Sequence, residues 1–203
     1  MKLYGEHNPA PNPRRVRIFL AEKGIEVEHV HVPMRQGAHK APEFLTKNSL
    51  GQVPVLELDD GTCISESVSI CRYLEALQPD PPLFGTTPLE IATIDMWIRR
   101  VEWQLMSPIG QIWRHAHPYT AALLTQYKDF GESNRPHADR AYHWLDREMA
   151  DKAYIAGDTF SAADIMALSI VDFGTFIGTP IPDDCNHLKA WHERVSARPS
   201  AAA

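Results

Sequence analysis

The sequence predicts two folding units, an α/β domain over residues 1–78 and an all-α domain over residues 89–203. Three observations carry this. Short apolar runs bounded by Gly, Pro and Asp alternate with helical patterns as far as Leu77. The segment Gln78-Pro-Asp-Pro-Pro82 then begins a linker, residues 79–88, by composition. Beyond it, apolar residues recur only at helical spacing.

In the first domain, Met1 to Gly5 contains a short strand, Lys-Leu-Tyr. A proline-rich loop follows, Asn8-Pro-Ala-Pro-Asn-Pro13. Arg14 to Lys23 reads as a helix with Val16, Ile18, Phe19 and Leu20 on its apolar face. Asn12 is its expected N-cap, Pro13 its first helical residue and Gly24 its stop. Glu26 to Val32 alternates as a strand through Val27, Val30 and Val32, although the alternation slips. Residues 33–50 form a loose connection with a short helical piece at Pro42-Glu-Phe-Leu45. Gln52-Val53-Pro54 precedes the apolar run Val55 to Leu58. Asp60-Gly61 is a two-residue hairpin signal, and Thr62 to Ser65 forms the returning strand. Glu66-Ser67 opens an amphipathic helix carrying Val68, Ile70, Cys71, Tyr73 and Leu74.

In the second domain, residues 89–113 carry Ile91, Ile94, Trp97, Ile98, Val101 and Leu105 at helical spacing, with a kink expected at Ser107-Pro108. The signal over 119–130 is weak. Residues 135–150, 162–178 and 187–197 read as helices. Ser161 and Asp164 open the second of these as a near capping box.

Charge and composition narrow the function. The formal net charge of −6 and the lack of a basic run argue against a nucleic-acid partner. No apolar run reaches membrane-spanning length and no secretory signal opens the chain, so no membrane association is expected. The three cysteines, Cys63, Cys71 and Cys185, form no CxxC, which suits a reducing cytoplasm. Cys71 falls on an apolar helical stripe and reads as core. There is no HExxH, and His115 and His117 are two apart, the wrong spacing for one helix face. No metal is expected.

The stretch from Gly51 to Ser67 offers specific chemistry. Pro54 before a strand donates nothing to a ladder and sets a turn. A cis peptide there would present the Val53 N–H and C=O as an extended edge. Glu66 and Ser67 would stand beside the free N–H groups of a helix N-terminus, where carboxylates bind. Such a site suits a peptide-like ligand carrying an amine and a carboxylate. The plainer alternative is a hairpin followed by a capped helix.

This arrangement resembles the glutathione site of the glutathione S-transferase family, cytosolic and bacterial in type. That family pairs a Val-Pro, with the proline cis, with a Glu-Ser or Asp-Ser about a dozen residues later. The Pro54–Glu66 spacing and the intervening hairpin match. The second half is also similar to the family's helical domain, through Gly157-Asp-x-x-Ser161-x-Ala-Asp164 and Trp191-x-x-Arg194-x-x-x-Arg198-Pro199. The resemblance implies a thioredoxin-like N-terminal domain, a cis Pro54, a cytoplasmic homodimer, and glutathione as co-substrate. Asp164 would serve the helix cap and not the chemistry.

The resemblance also implies a donor near the glutathione sulfur that stabilises the thiolate. Members supply Tyr, Ser or Cys after the first strand. Here the serine of plant-like and theta-like members falls at Ala10, and Tyr4 lies too early. Asn12 is similar to the asparagine in the Thr-Pro-Asn of nu-class members, where disulfide chemistry is prominent. Asn12 is therefore the expected catalytic residue, with helix capping as its alternative role. Arg14 and Arg15 would add positive potential, one of them as a solvated surface charge. Glu66 and Ser67 would hold the γ-glutamyl end, Val53 the cysteinyl backbone, Gln52 the glycyl or γ-glutamyl region, and His39 with Lys40 the glycine carboxylate. His39-Lys40 reads equally as an exposed loop pair. Trp103, Met106, Gly110 and Trp113 would line a pocket between the domains for the second substrate, unless that stripe is core. That substrate would be an electrophile, a disulfide or a peroxide. The competing function is a non-catalytic binding protein on the same fold. Glutathione-dependent isomerisation or dehalogenation has no marker.

Overall fold

The computed structural model describes residues 1–7 and 10–203, so Asn8 and Pro9 of the expected proline-rich loop lie outside the described residues. The chain divides into two compact units, one of residues 1–83 with 199–203 and one of residues 84–198.

The first unit runs β1 (Lys2–Gly5), α1 (Pro11–Lys23), β2 (Glu28–His31), α2 (Pro42–Leu45), β3 (Val55–Glu57), β4 (Cys63–Ser65) and α3 (Ser67–Leu77). Its sheet has the order β2-β1-β3-β4. β1 is parallel to β2, and the other two pairings are antiparallel. This is the thioredoxin-like arrangement. Leu3, Val55 and Leu56 from the sheet are buried, as are Val16 and Phe19 on α1 and Ile70, Cys71 and Leu74 on α3. Removing this apolar surface from water is the main stabilising term.

Three local features differ from expectation. First, α1 begins at Pro11, with Ala10 at the N-cap and no side-chain cap, so Asn12 is not the cap. Prolines suit a first helical turn because its N–H groups have no intrahelical acceptor and φ is already fixed near the helical value. Pro11 and Pro13 therefore let the helix start two residues earlier than the Asn12 signal indicates. Second, the hairpin is longer than two residues. The Leu58 N–H donates to the Thr62 carbonyl at 2.8 Å and the Gly61 N–H to the Leu58 carbonyl at 3.0 Å. Gly61 sits at φ 85°, the left-handed residue that a three-residue hairpin loop requires. Third, Lys23 is buried. Its ammonium meets the Glu75 carboxylate at 2.5 Å and donates to the Pro79 and Pro81 carbonyls. A buried charge must be paired in this way, and here the pairing holds the segment after α3 against α1.

The second unit runs α4 (Pro88–Arg100), a π-helical turn (Val101–Met106), α5 (Ser107–His115), α6 (Lys128–Ser133), α7 (Arg135–Glu148), α8 (Ala162–Phe176) and α9 (Asn186–Ser196). The irregularity expected at Ser107-Pro108 is this π-turn. Pro108 has no N–H to give to the preceding turn and its ring crowds that turn, and widening the helix relieves both.

The two motifs of the second half form one structure. Asp164 is fully buried and accepts from the Ile155 N–H at 2.9 Å, the Ser161 N–H at 2.9 Å, the Ser161 hydroxyl at 3.1 Å and the Trp191 indole at 2.8 Å. Burial outweighs these donors and pushes its carboxyl up to about 6, so it is ionised at neutral pH. Arg194 donates to the Ala153 carbonyl at 2.6 Å, and Arg198 lies over the Phe160 ring at 3.9 Å. The Trp-Arg-Arg series on and after α9 therefore clamps the loop that Asp164 caps. Among the described residues, no helix is long and apolar enough to cross a membrane.

Candidate functional site

The Val53–Pro54 peptide is cis. Strand β3 begins only at Val55, and among the described residues neither the N–H nor the C=O of Val53 takes part in a hydrogen bond. An unpaired backbone edge of this kind can receive another backbone in extended form. The approach to it is fixed by Asn48, whose amide donates to the Gln52 carbonyl at 2.8 Å and whose oxygen accepts from the Leu50 N–H at 3.1 Å. Sequence reading passed over Asn48, although an asparagine three residues before a glycine, as in Asn48-Ser-Leu-Gly51, is a turn signal.

Glu66 is the N-cap of α3 at φ 69°, the one non-glycine with positive φ among the described residues. Such conformations cost free energy and collect at functional sites. No side chain caps the helix, so its first N–H groups keep their donor capacity, and the Glu66 side chain is exposed beside them. Ser67 is buried and its hydroxyl accepts from Arg15 Nη1 at 3.3 Å. Arg15 is itself buried. Arg14 donates to the Ala201 carbonyl at 3.0 Å. Neither arginine is therefore a solvated surface charge: Arg14 fastens the end of the chain, and Arg15 places a cation under Ser67. One helix thus supplies an acid for an amine, and free N–H groups over a buried cation for a carboxylate.

Asn12 is the second residue of α1, half-buried, and among the described residues its side chain forms no hydrogen bond. Tyr4 is committed elsewhere. Its hydroxyl donates to Glu57 at 2.5 Å, and Lys47 donates to the same carboxylate oxygen at 2.8 Å. The Glu57 hydrogen bond, followed by burial, raises the Tyr4 pKa, which makes it a poor source of a phenolate.

His39 and Lys40 lie next to the Gly51–Gln52 turn. A Cβ on Gly51 would stand 2.6 Å from the His39 carbonyl and 2.9 Å from the Lys40 side chain, so only glycine allows this approach. Lys40 donates to the Leu50 carbonyl at 2.8 Å. Burial, and then the Lys40 charge, lowers the His39 pKa.

The expected second-substrate stripe is divided. Exposed Trp103 lies on the π-turn and lines a cleft of about 390 Å³ with Gln104, Ser107, His137, Arg140 and Trp144. Trp113 packs instead against the rings of His117, Tyr119, Phe173 and Phe176. Met106 is half-buried. A π-turn adds residues to the turn and rotates everything after it, which spacing read from sequence does not register.

Comparison with known proteins identifies the family. Family models described as the N-terminal and C-terminal domains of glutathione S-transferase match residues 10–77 and 112–199. Glutathione S-transferase 2 of Saccharomyces cerevisiae is 42% identical over 194 residues, covering 94% of this chain and 83% of the relative. The crystal structure of Gtt2 from the same yeast superimposes with a TM-score of 0.92 at 39% identity, over 100% of this chain and 99% of that one. A glutathione S-transferase domain-containing protein of Marinobacter aquaeolei gives 0.92 at 40% identity, over 98% and 99%.

Proposed function

The chain belongs to the glutathione S-transferase family and is a glutathione transferase, and from that premise we propose that glutathione binds along Val53, Glu66 and Ser67 with its thiol toward Asn12. The observation that carries this reading is the set of unengaged groups on one unit. These are the Val53 edge beside a cis proline, the exposed Glu66 carboxylate at an uncapped helix N-terminus, and the Asn12 amide, which is unbonded among the described residues. Glutathione offers each a partner: a cysteinyl backbone, a γ-glutamyl ammonium and carboxylate, and a thiol. Gln52, His39 and Lys40 receive the glycyl end. The relatives are transferases, which favours the enzyme over a non-catalytic binding protein.

The reaction follows from the donor. A neutral amide stabilises a thiolate less than a cation does. Conjugation to an aryl halide is then slow. Thiol–disulfide exchange is better served, because its rate also depends on access and on the leaving thiol. A panel of an aryl halide, a mixed glutathione disulfide and a hydroperoxide is expected to show highest turnover on the disulfide. Highest turnover on the aryl halide would reverse this assignment.

Calorimetry tests the binding itself. Glu66→Ala or Ser67→Ala is expected to weaken glutathione by roughly 1–3 kcal/mol, the cost of losing a charged or buried hydrogen bond. Absence of binding by the unmodified protein would refute the proposal. The working form is a cytoplasmic homodimer. The three free cysteines suit a reducing compartment, and Leu89, Ile91 and Met96 form an exposed apolar set on α4. Light scattering is expected to give twice the chain mass at micromolar concentration; a monomer mass would contradict it.

A further inference from the structure

His143 on α7 meets Asp184 and Cys185, which lie immediately before α9. The ligand atoms of the three all lie within 4.8 Å of one another. His143 Nε2 stands 3.2 Å from both Asp184 carboxylate oxygens. Its Nδ1 is 2.9 Å from the Asp139 carbonyl and 3.4 Å from the Asp139 carboxylate. The cysteine is fully buried, and among the described residues its sulfur has no hydrogen-bond partner. It is an unpartnered polar atom turned toward the histidine and the carboxylate.

We propose that His143 Nε2, the Asp184 carboxylate and Cys185 Sγ form a site for a divalent transition-metal ion of the zinc or cobalt class, outside the glutathione residues. Two features point to a metal. The set offers a nitrogen, an oxygen and a sulfur, which suits zinc or cobalt and not magnesium or calcium. The contact of Nδ1 with the Asp139 carbonyl holds the ring with Nε2 toward the other two ligands, the orientation that metal-binding histidines require. Binding forms bonds from nitrogen, oxygen and sulfur to the ion and releases the thiol proton, and any proton on Nε2, to solvent, with no change of oxidation state. One tetrahedral position remains for water.

The ion would join α7 to the start of α9. Those elements already meet where Asp146 accepts from the Leu188 N–H at 2.9 Å. His143 and Asp184 are 41 residues apart, so no motif search for metal spacing finds them.

Cobalt titration of the full chain, followed by absorption, tests the site without an activity assay. The unmodified protein is expected to saturate with the visible bands of a tetrahedral ion and a near-ultraviolet sulfur-to-cobalt charge-transfer band, both removed by added zinc. Cys185→Ser is expected to lose the charge-transfer band. His143→Gln, at a partly exposed position, is expected to lose at least about tenfold in cobalt affinity. Cys63→Ser is expected to behave as unmodified protein, and circular dichroism checks that each variant is folded. No saturable spectrum in the unmodified protein, a charge-transfer band surviving in Cys185→Ser, or undiminished affinity in His143→Gln would overturn the proposal.

Discussion

Replacing Asn12 with alanine is expected to lower turnover about ten- to a thousandfold, by analogy with losing one oxyanion donor. The melting temperature should stay where it was. The second half of this expectation comes from the helix start. Had Asn12 been the N-cap, its loss would have cost about 0.5–2 kcal/mol as well. The cap position belongs to Ala10, and the Asn12 side chain makes no bond that alanine would break among the described residues. Activity and stability should therefore separate. Unchanged turnover in a folded Asn12→Ala protein would move the role to a backbone N–H of the first turn of α1, or to water.

Asp164→Ala should do the reverse. Removing the cap alone accounts for about 0.5–2 kcal/mol. The substitution also strips the acceptor from the buried Ile155 N–H and from the Trp191 indole, so the clamp between α9 and the 153–164 loop loses its centre. Each of these two orphaned buried donors adds about 1–3 kcal/mol, so the expected total is roughly 2.5–8 kcal/mol. Urea denaturation measures it, and the fraction that remains folded should retain normal turnover per molecule. Loss of activity at unchanged stability would mean that Asp164 acts in the chemistry.

Much of this was legible in the sequence because it is local. The Val-Pro, the hairpin and the Glu-Ser lie within one stretch, and the capping box spans four consecutive residues. Element order and helical periods follow from side chains a few positions apart. The unread parts are of two kinds. Some are backbone states without a strong side-chain signature, such as the positive φ of Glu66, the helix start at Pro11 and the π-turn that separates Trp103 from Trp113. Others are long-range pairings of charged groups. Arg15 under Ser67, Lys23 against Glu75 and His143 against Asp184 join residues distant in the chain. An arginine in an amphipathic pattern reads as solvent-facing until its partner is seen, because pairing and not polarity decides whether a charge can be buried.

Asn12 is expected to stabilise the thiolate of glutathione bound along Val53, Glu66 and Ser67. Thiolate absorbance of the protein–glutathione complex, titrated against pH, tests this most directly. In the unmodified protein the thiol should titrate below the about 8.5 of an unperturbed cysteine. The shift should be smaller than a cationic partner gives, and Asn12→Ala should move the value back toward that of free glutathione. The same thiol pKa in both proteins, with glutathione bound to each, would contradict the account.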